Sequence, residues 1–170
     1  MPENMAPVAL FAYNRADKLE NCIKSVSNNI DNYELGVALS SICDFIWDIY
    51  CDWYIELSKP SVAAGGERSE TAQNVLAYVL GETLKLLHPF MPFITEKIWQ
   101  QLPHKGESIV VTDYPKFDSS LVFTKEAEQT ELIISAIKAI RNRRTEMNVA
   151  PSRKAKEFIA SDEKNAFNDS

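Results

Sequence analysis

The chain has 170 residues, of which 45% are hydrophobic, 25% charged and 10% aromatic. That is enough for one domain with its own core, and too apolar for a disordered tail. Its net charge of −6 argues against a generic nucleic-acid binder, whose surface is basic. No apolar stretch approaches the roughly 20 residues that a membrane span needs. Three cysteines with no C-x-x-C point to reduced thiols, a cytoplasmic setting and no metal knuckle.

The charge is unevenly spread. Residues 138–156 hold seven cations (Lys138, Arg141, Arg143, Arg144, Arg153, Lys154 and Lys156) and one anion, Glu146, so this window is +6 and the rest of the chain −12. A basic patch on an acidic protein matters more than the total.

In chain order, Pro7 to Tyr13 is a short apolar run that fits a buried strand or a helix turn. It is too short for a secretory signal core and lacks a basic leader. Residues 16–29 place Leu19, Cys22, Ile23 and Val26 on one face, which predicts a short helix with Asp17 in its first turn. The strongest periodicity follows. Leu35, Leu39, Ile42, Ile46, Ile49, Trp53 and Leu57 recur at steps of three and four, and Phe45 widens the stripe. Asp44, Asp48, Asp52 and Glu56 form an acidic solvent face, and Trp47, Tyr50 and Tyr54 form a third face. A helix apolar over so much of its circumference is packed from more than one side, as in a bundle. Pro60 is expected to end it, with residues 63–66 as a loop.

A third helix is expected over about 67–87, with Val75, Val79, Leu80, Leu84 and Leu87 inward and His88-Pro89 as its stop. Pro92 suits the first turn of a fourth helix, which carries Phe93, Ile94, Ile98, Trp99 and Leu102 and ends before Pro103. Residues 103–124 read as a long connection in which Ser108 to Thr112 is β-like. A fifth helix is expected over about 126–147, with Ile133, Ala136, Ile137, Ile140 and Met147 inward. Four to five amphipathic helices without a sheet make an all-α bundle, preceded by a short non-helical segment and followed by a loose tail. The expected division is an atypical segment over 1–28, the bundle over 29–150, and the truncated start of a following segment over 151–170.

Side chains able to do chemistry are few. His88 and His104 are the only histidines, and neither has a metal-ligand partner at helical spacing. His88 is expected to cap helix-end carbonyls. Ala64-Gly65-Gly66 has no strand before it, so it is a loop tip and not a phosphate loop. No catalytic residue and no metal site are expected. Trp47, Tyr50 and Tyr54, with Phe45 and Trp53, fit stacking on unpaired bases or core packing, and helical spacing favours the core. Lys138, Arg141 and Arg144 spread over about a third of a helix circumference, with Arg143 elsewhere. That pattern fits a solvated helix end and a phosphate-binding surface equally.

Longer stretches carry a resemblance. LLHPFMPFITEKIWQQLP (86–103) resembles the anticodon-binding domain of valyl-tRNA synthetases, a class I synthetase family. NIDNYELGVALSSICDFIWDIYCDWYIELSKP (29–60), TAQNVLAYVLGETLKLLHPF (71–90), HKGESIVVTDYP (104–115) and AIKAIRNRRTEMNVAPSRKAK (136–156) agree in collinear order. The leucyl and isoleucyl enzymes share the H-P-F-x-P-F theme, and the D-F-I-W-D…C-D-W-Y run points to valine. The resemblance implies a helical bundle that docks the anticodon stem-loop of tRNA(Val) and supports aminoacylation in a full valine–tRNA ligase. By the same resemblance Lys138, Arg141, Asn142, Arg143, Arg144 and Lys154 become candidates for tRNA contact.

The chain departs from the family in three ways. H-I-G-H and K-M-S-K-S signatures are absent, so no catalysis is expected from this chain alone, and ATP and Mg belong to the full-length synthetase. An opening helix of N-K-x-W/Y-N-A-x-R-F type is absent. Residues 1–28 instead resemble the opening of nucleotide-sugar glycosyltransferases of the A-type fold, without a D-x-D motif. A bundle lacking its first helix would expose apolar surface on the second, a site for self-association. The alternative function is a helical interaction module that has lost tRNA binding.

Overall fold

The computed structural model describes residues 6–150 and 152–154, with side chains from Asp17 onward apart from Glu126. Among these residues there are five helices and no strand, as expected for an all-α bundle.

The first helix corrects the expected non-helical opening. α1 runs over Ala6–Asp31 as one element. Pro7 falls in its first turn, where a missing N–H is harmless, and no glycine or proline follows before Asp31 to interrupt it. Leu19, Cys22, Ile23 and Val26 are buried, as their spacing predicts. They share one core with Ala38, Ile42 and Phe45 of the second helix. Part of the surface expected to be left bare on that helix is therefore covered by α1, while Leu35, Val37 and Trp47 stay exposed. Burial also pushes the Cys22 thiol up to about 12, and all three thiols are unpaired by disulfides.

The second helix, α2, is continuous but changes its winding. It is α-helical over Leu35–Asp44, π-wound over Phe45–Ile55 and α-helical again over Glu56–Ala64. Its buried residues are Ala38, Ile42, Phe45, Tyr50, Tyr54, Ser58 and Ser61. The one step of five, from Phe45 to Tyr50, lies in the π segment, where i→i+5 bonding widens the turn. That extra residue turns Tyr50 and Tyr54 into the core and Trp47 out of it. Leu35 is exposed and Trp53 half-buried, so the uniform stripe expected from a 3.6-residue period is not the buried one. Nor does Pro60 end the helix. The chain continues to Ala64 and stops at Gly65, whose φ of 72° suits a residue without Cβ. Near the proline, side-chain hydroxyls use the carbonyls: Ser58 donates to Tyr54 O at 2.7 Å and Ser69 to Val62 O at 2.8 Å.

α3 runs over Gly66–Leu87 and buries Val79, Leu84 and Leu86. α4 runs over Pro92–Trp99 with the expected proline at its start. His88 does not cap carbonyls. Its Nδ1 lies 2.7 Å from Thr95 Oγ1, which also lies 2.8 Å from Met91 O, and this side-chain hydrogen bond ties the end of α3 to α4. Trp99 is buried with Leu84 and Ile109 in a second, smaller core. Phe93 (91% exposed), Ile94 and Ile98 point outward, because so short a helix has one side on the bundle and Thr95 and Trp99 occupy it.

The connection to the last helix contains a 3₁₀ turn at Ile109–Val111 in place of the β-like run. Glu96 pins it, accepting from Ser108 Oγ at 2.8 Å and Ile109 N at 3.0 Å. The Gln100 amide, with these donors, holds the Glu96 carboxyl below its usual range. Further on, the Asp118 N–H donates at 2.6 Å to Glu20, which is 1% exposed and straps the connection to α1. Burial pushes the Glu20 carboxyl up, with the charges of Asp118 and Glu82 adding to the effect.

α5 spans Thr124–Glu146 and packs along α1, with Lys18 paired to Glu131 at 3.2 Å. It buries Thr130 and Ile134, half-buries Ile133, Ala136, Ile137 and Ile140, and leaves Met147 exposed rather than inward. None of the described helices is long and apolar enough to cross a membrane. The expected loose tail lies mostly outside the described residues, of which 152–154 are its only part.

Candidate nucleic-acid interface

The C-terminal half of α5 carries the cations, and the structure sorts them by what each one touches. Lys138 and Arg141 sit on the Trp53 indole of α2. Lys138 Nζ is 5.6 Å and Arg141 Cζ 5.5 Å from the ring centroid. Positive groups at that distance are held by the negative face of the ring, for about 0.5–1 kcal/mol each at exposed sites. Both side chains are exposed on their outer side. Held this way, they lose less freedom when an anion arrives than cations on free stems would.

Asn142 is exposed one position on. Arg143 points elsewhere, as helical spacing predicts, and is paired with Glu146 at 3.0 Å. That pair is open to solvent and contributes little to stability. Arg144 is half-buried and directed to the main chain, donating from Nη2 to Ala150 O at 3.2 Å and Arg153 O at 2.6 Å. Lys154 is exposed on the segment that Arg144 holds. The six candidate residues thus lie on one helix end and its continuation, with Lys138 and Arg141 assembled on a common ring and Arg143 and Arg144 engaged within the chain.

The aromatic candidates divide. Tyr50 and Tyr54 are core residues, with ring centroids 5.8 Å apart and planes at 69°, an edge-to-face pair. The Tyr50 hydroxyl donates to Leu76 O at 3.2 Å, and burial pushes it up to about 12. Trp47 is 65% exposed and does not belong to the core. Helical spacing favoured the core for Trp47, which its exposure corrects, and it also misplaced Trp53. A helical period put it on the inward stripe, and the π-wound turn moves it to the boundary with α5. No local signal marks that change, because its partners are on a helix distant in sequence.

The acidic row Asp44, Asp48, Asp52 and Glu56 is exposed, as a solvated face should be. It gives α2 a negative side, in contrast to the positive end of α5.

Known proteins share this chain's pattern. The family model for the anticodon-binding domain of tRNA ligase matches residues 16–159. The match begins within α1 and takes in residues 16–28, which the sequence reading left outside the resemblance. The chain is 47% identical over 138 residues to the valine–tRNA ligase of Bacillus cereus, covering 81% of this chain and 16% of that protein. It is 41% identical over 162 residues to the valine–tRNA ligase of Pseudothermotoga lettingae, covering 92% and 19%. With the valine–tRNA ligase of Geobacillus stearothermophilus it shares 44% over 137 residues, covering 80% and 16%. The chain therefore spans less than a fifth of the length of the relatives it matches.

Proposed function

Because this chain belongs to the family of anticodon-binding domains of tRNA ligases, we propose that it binds the anticodon stem-loop of tRNA(Val) in the cytoplasm, as the docking domain of a valine–tRNA ligase. What this sequence supplies is an anticodon-binding domain and not a catalytic one. Valine activation, with its ATP and Mg, belongs to the remainder of such a ligase.

The observation that carries the reading is the Trp53 ring under Lys138 and Arg141. It offers two positioned cations to the phosphates of the stem, which fix register on a nucleic acid before any base is read. Asn142 and Lys154 extend that surface. Arg143, paired with Glu146, and Arg144, bound to carbonyls, contribute less direct contact.

The test is a titration of the purified chain with tRNA(Val) at low salt and at 200 mM, beside a non-cognate tRNA. Binding that weakens steeply with salt, and further in Arg141→Glu, supports the phosphate surface. A preference for tRNA(Val) supports recognition of the anticodon as well. No binding at low salt would establish the other reading, a helical interaction module that has lost tRNA, which the net charge of −6 favours. For self-association the outward face of α4 offers an apolar patch, where Met91, Phe93 and Ile94 are exposed. Sedimentation at high concentration, with Phe93→Asp as the control, decides whether it occurs.

A further inference from the structure

α5 ends at Glu146, and the chain turns back at Asn148, whose φ of 52° is left-handed backbone. Two main-chain bonds begin the turn, from Asn148 N to Thr145 O at 3.0 Å and from Val149 N to Arg144 O at 2.9 Å. Arg144 closes it. Through Nη2 it gathers the carbonyls of Ala150 and Arg153, six and nine residues on, while Arg153 N donates to Ala150 O at 3.0 Å. A guanidinium presents its donors in a rigid plane, so one side chain holds two carbonyls in fixed relation; a lysine ammonium on a flexible stem does not.

The consequence falls on the residues so held. The carbonyls of Ala150 and Arg153 are fixed against the last turn of α5, at the helix end that carries Lys138 and Arg141. Arg153 and Lys154 are exposed, and neither takes part in an ion pair of the described structure. Resting on the tRNA reading above, we infer that Arg144 is a positioning residue that holds Ala150 and Arg153 back against the helix, so that Arg153 and Lys154 form a second phosphate-binding pair at the same helix end. Counting Arg144 as one more phosphate contact misses this role, since its donors are already turned to the chain.

The experiment compares tRNA(Val) affinity across a salt series for Arg144→Lys, Arg144→Gln, Arg153→Gln with Lys154→Gln, and the combination of Arg144→Lys with Arg153→Gln. Each phosphate contact contributes about 0.7–0.9 to the slope of log affinity on log salt. Arg144→Lys keeps the charge, yet it should weaken binding about as much as Arg144→Gln and lower the slope by about two contacts. The Arg153→Gln, Lys154→Gln protein should lose the same two. Adding Arg153→Gln to Arg144→Lys should change little. Hydrogen exchange at the Val149 and Arg153 amides, without tRNA, should quicken in Arg144→Lys. Wild-type binding by Arg144→Lys, or an unchanged slope in the Arg153→Gln, Lys154→Gln protein, would overturn the inference. If the unaltered chain binds no tRNA at low salt, the tRNA reading and the phosphate role fall together, while amide exchange still decides whether Arg144 holds the turn.

Discussion

The middle of α2 and the end of α5 are built to opposite purposes. α2 turns Phe45, Tyr50 and Tyr54 into a core shared with α1 and α3. α5 commits few residues to burial and directs its last turns outward, where a single indole borrowed from α2 holds two cations. Trp53 is the point at which the two meet. Apolar burial is non-directional and sums over area, so the α2 core should be sensitive to lost volume. The α5 end depends on placed charges, so it should be sensitive to geometry and salt, with little effect on stability.

The sharpest contrast is between two aromatic residues two positions apart. Phe45→Ala should destabilise the fold by about 3–5 kcal/mol, read as a lowered urea midpoint, because it empties the centre of the main core. Trp47→Ala should stay within about 0.5 kcal/mol, since the ring faces solvent. Equal effects would mean that the two rings do not differ in burial as the structure has them. Trp53→Ala comes next in size and tests the junction. It should weaken tRNA binding several-fold, for about 1 kcal/mol, by releasing Lys138 and Arg141 from their common seat. A loss of stability with unchanged affinity would assign Trp53 to the core alone.

Glu20→Gln probes the strap between α1 and the connection, and its expected effect is the smallest. The folded carboxyl is pushed up, so below the ordinary glutamate range it is protonated in both states and has no effect on stability. As pH rises, the unfolded chain ionises first, and stability falls until the folded group ionises as well. The glutamine keeps an oxygen for the Asp118 N–H. Its stability relative to the natural chain should therefore grow across that pH interval and then level off at neutral pH. A difference that shrinks as pH rises would show that the strap to Asp118 favours the charged form.

Much of the bundle is legible in the residues themselves. The stops at His88-Pro89 and the start at Pro92 follow from backbone geometry, and the buried face of α1 from the spacing of Leu19, Cys22, Ile23 and Val26. The exposed acidic row and the outward turn of Arg143 follow from helical angles in the same way. The cation-rich helix end is also visible in sequence, though its partners are not. Local period and composition decide what a segment becomes, because capping, proline chemistry and amphipathicity act within a turn or two. They do not decide which way a π-wound turn rotates the next stretch, since that rotation is settled by what the neighbouring helices bury. For the same reason the seat of Lys138 and Arg141 on Trp53, the Glu20 strap and the carbonyls gathered by Arg144 emerge only once the chain is folded: each joins residues whose proximity is set by packing and not by spacing.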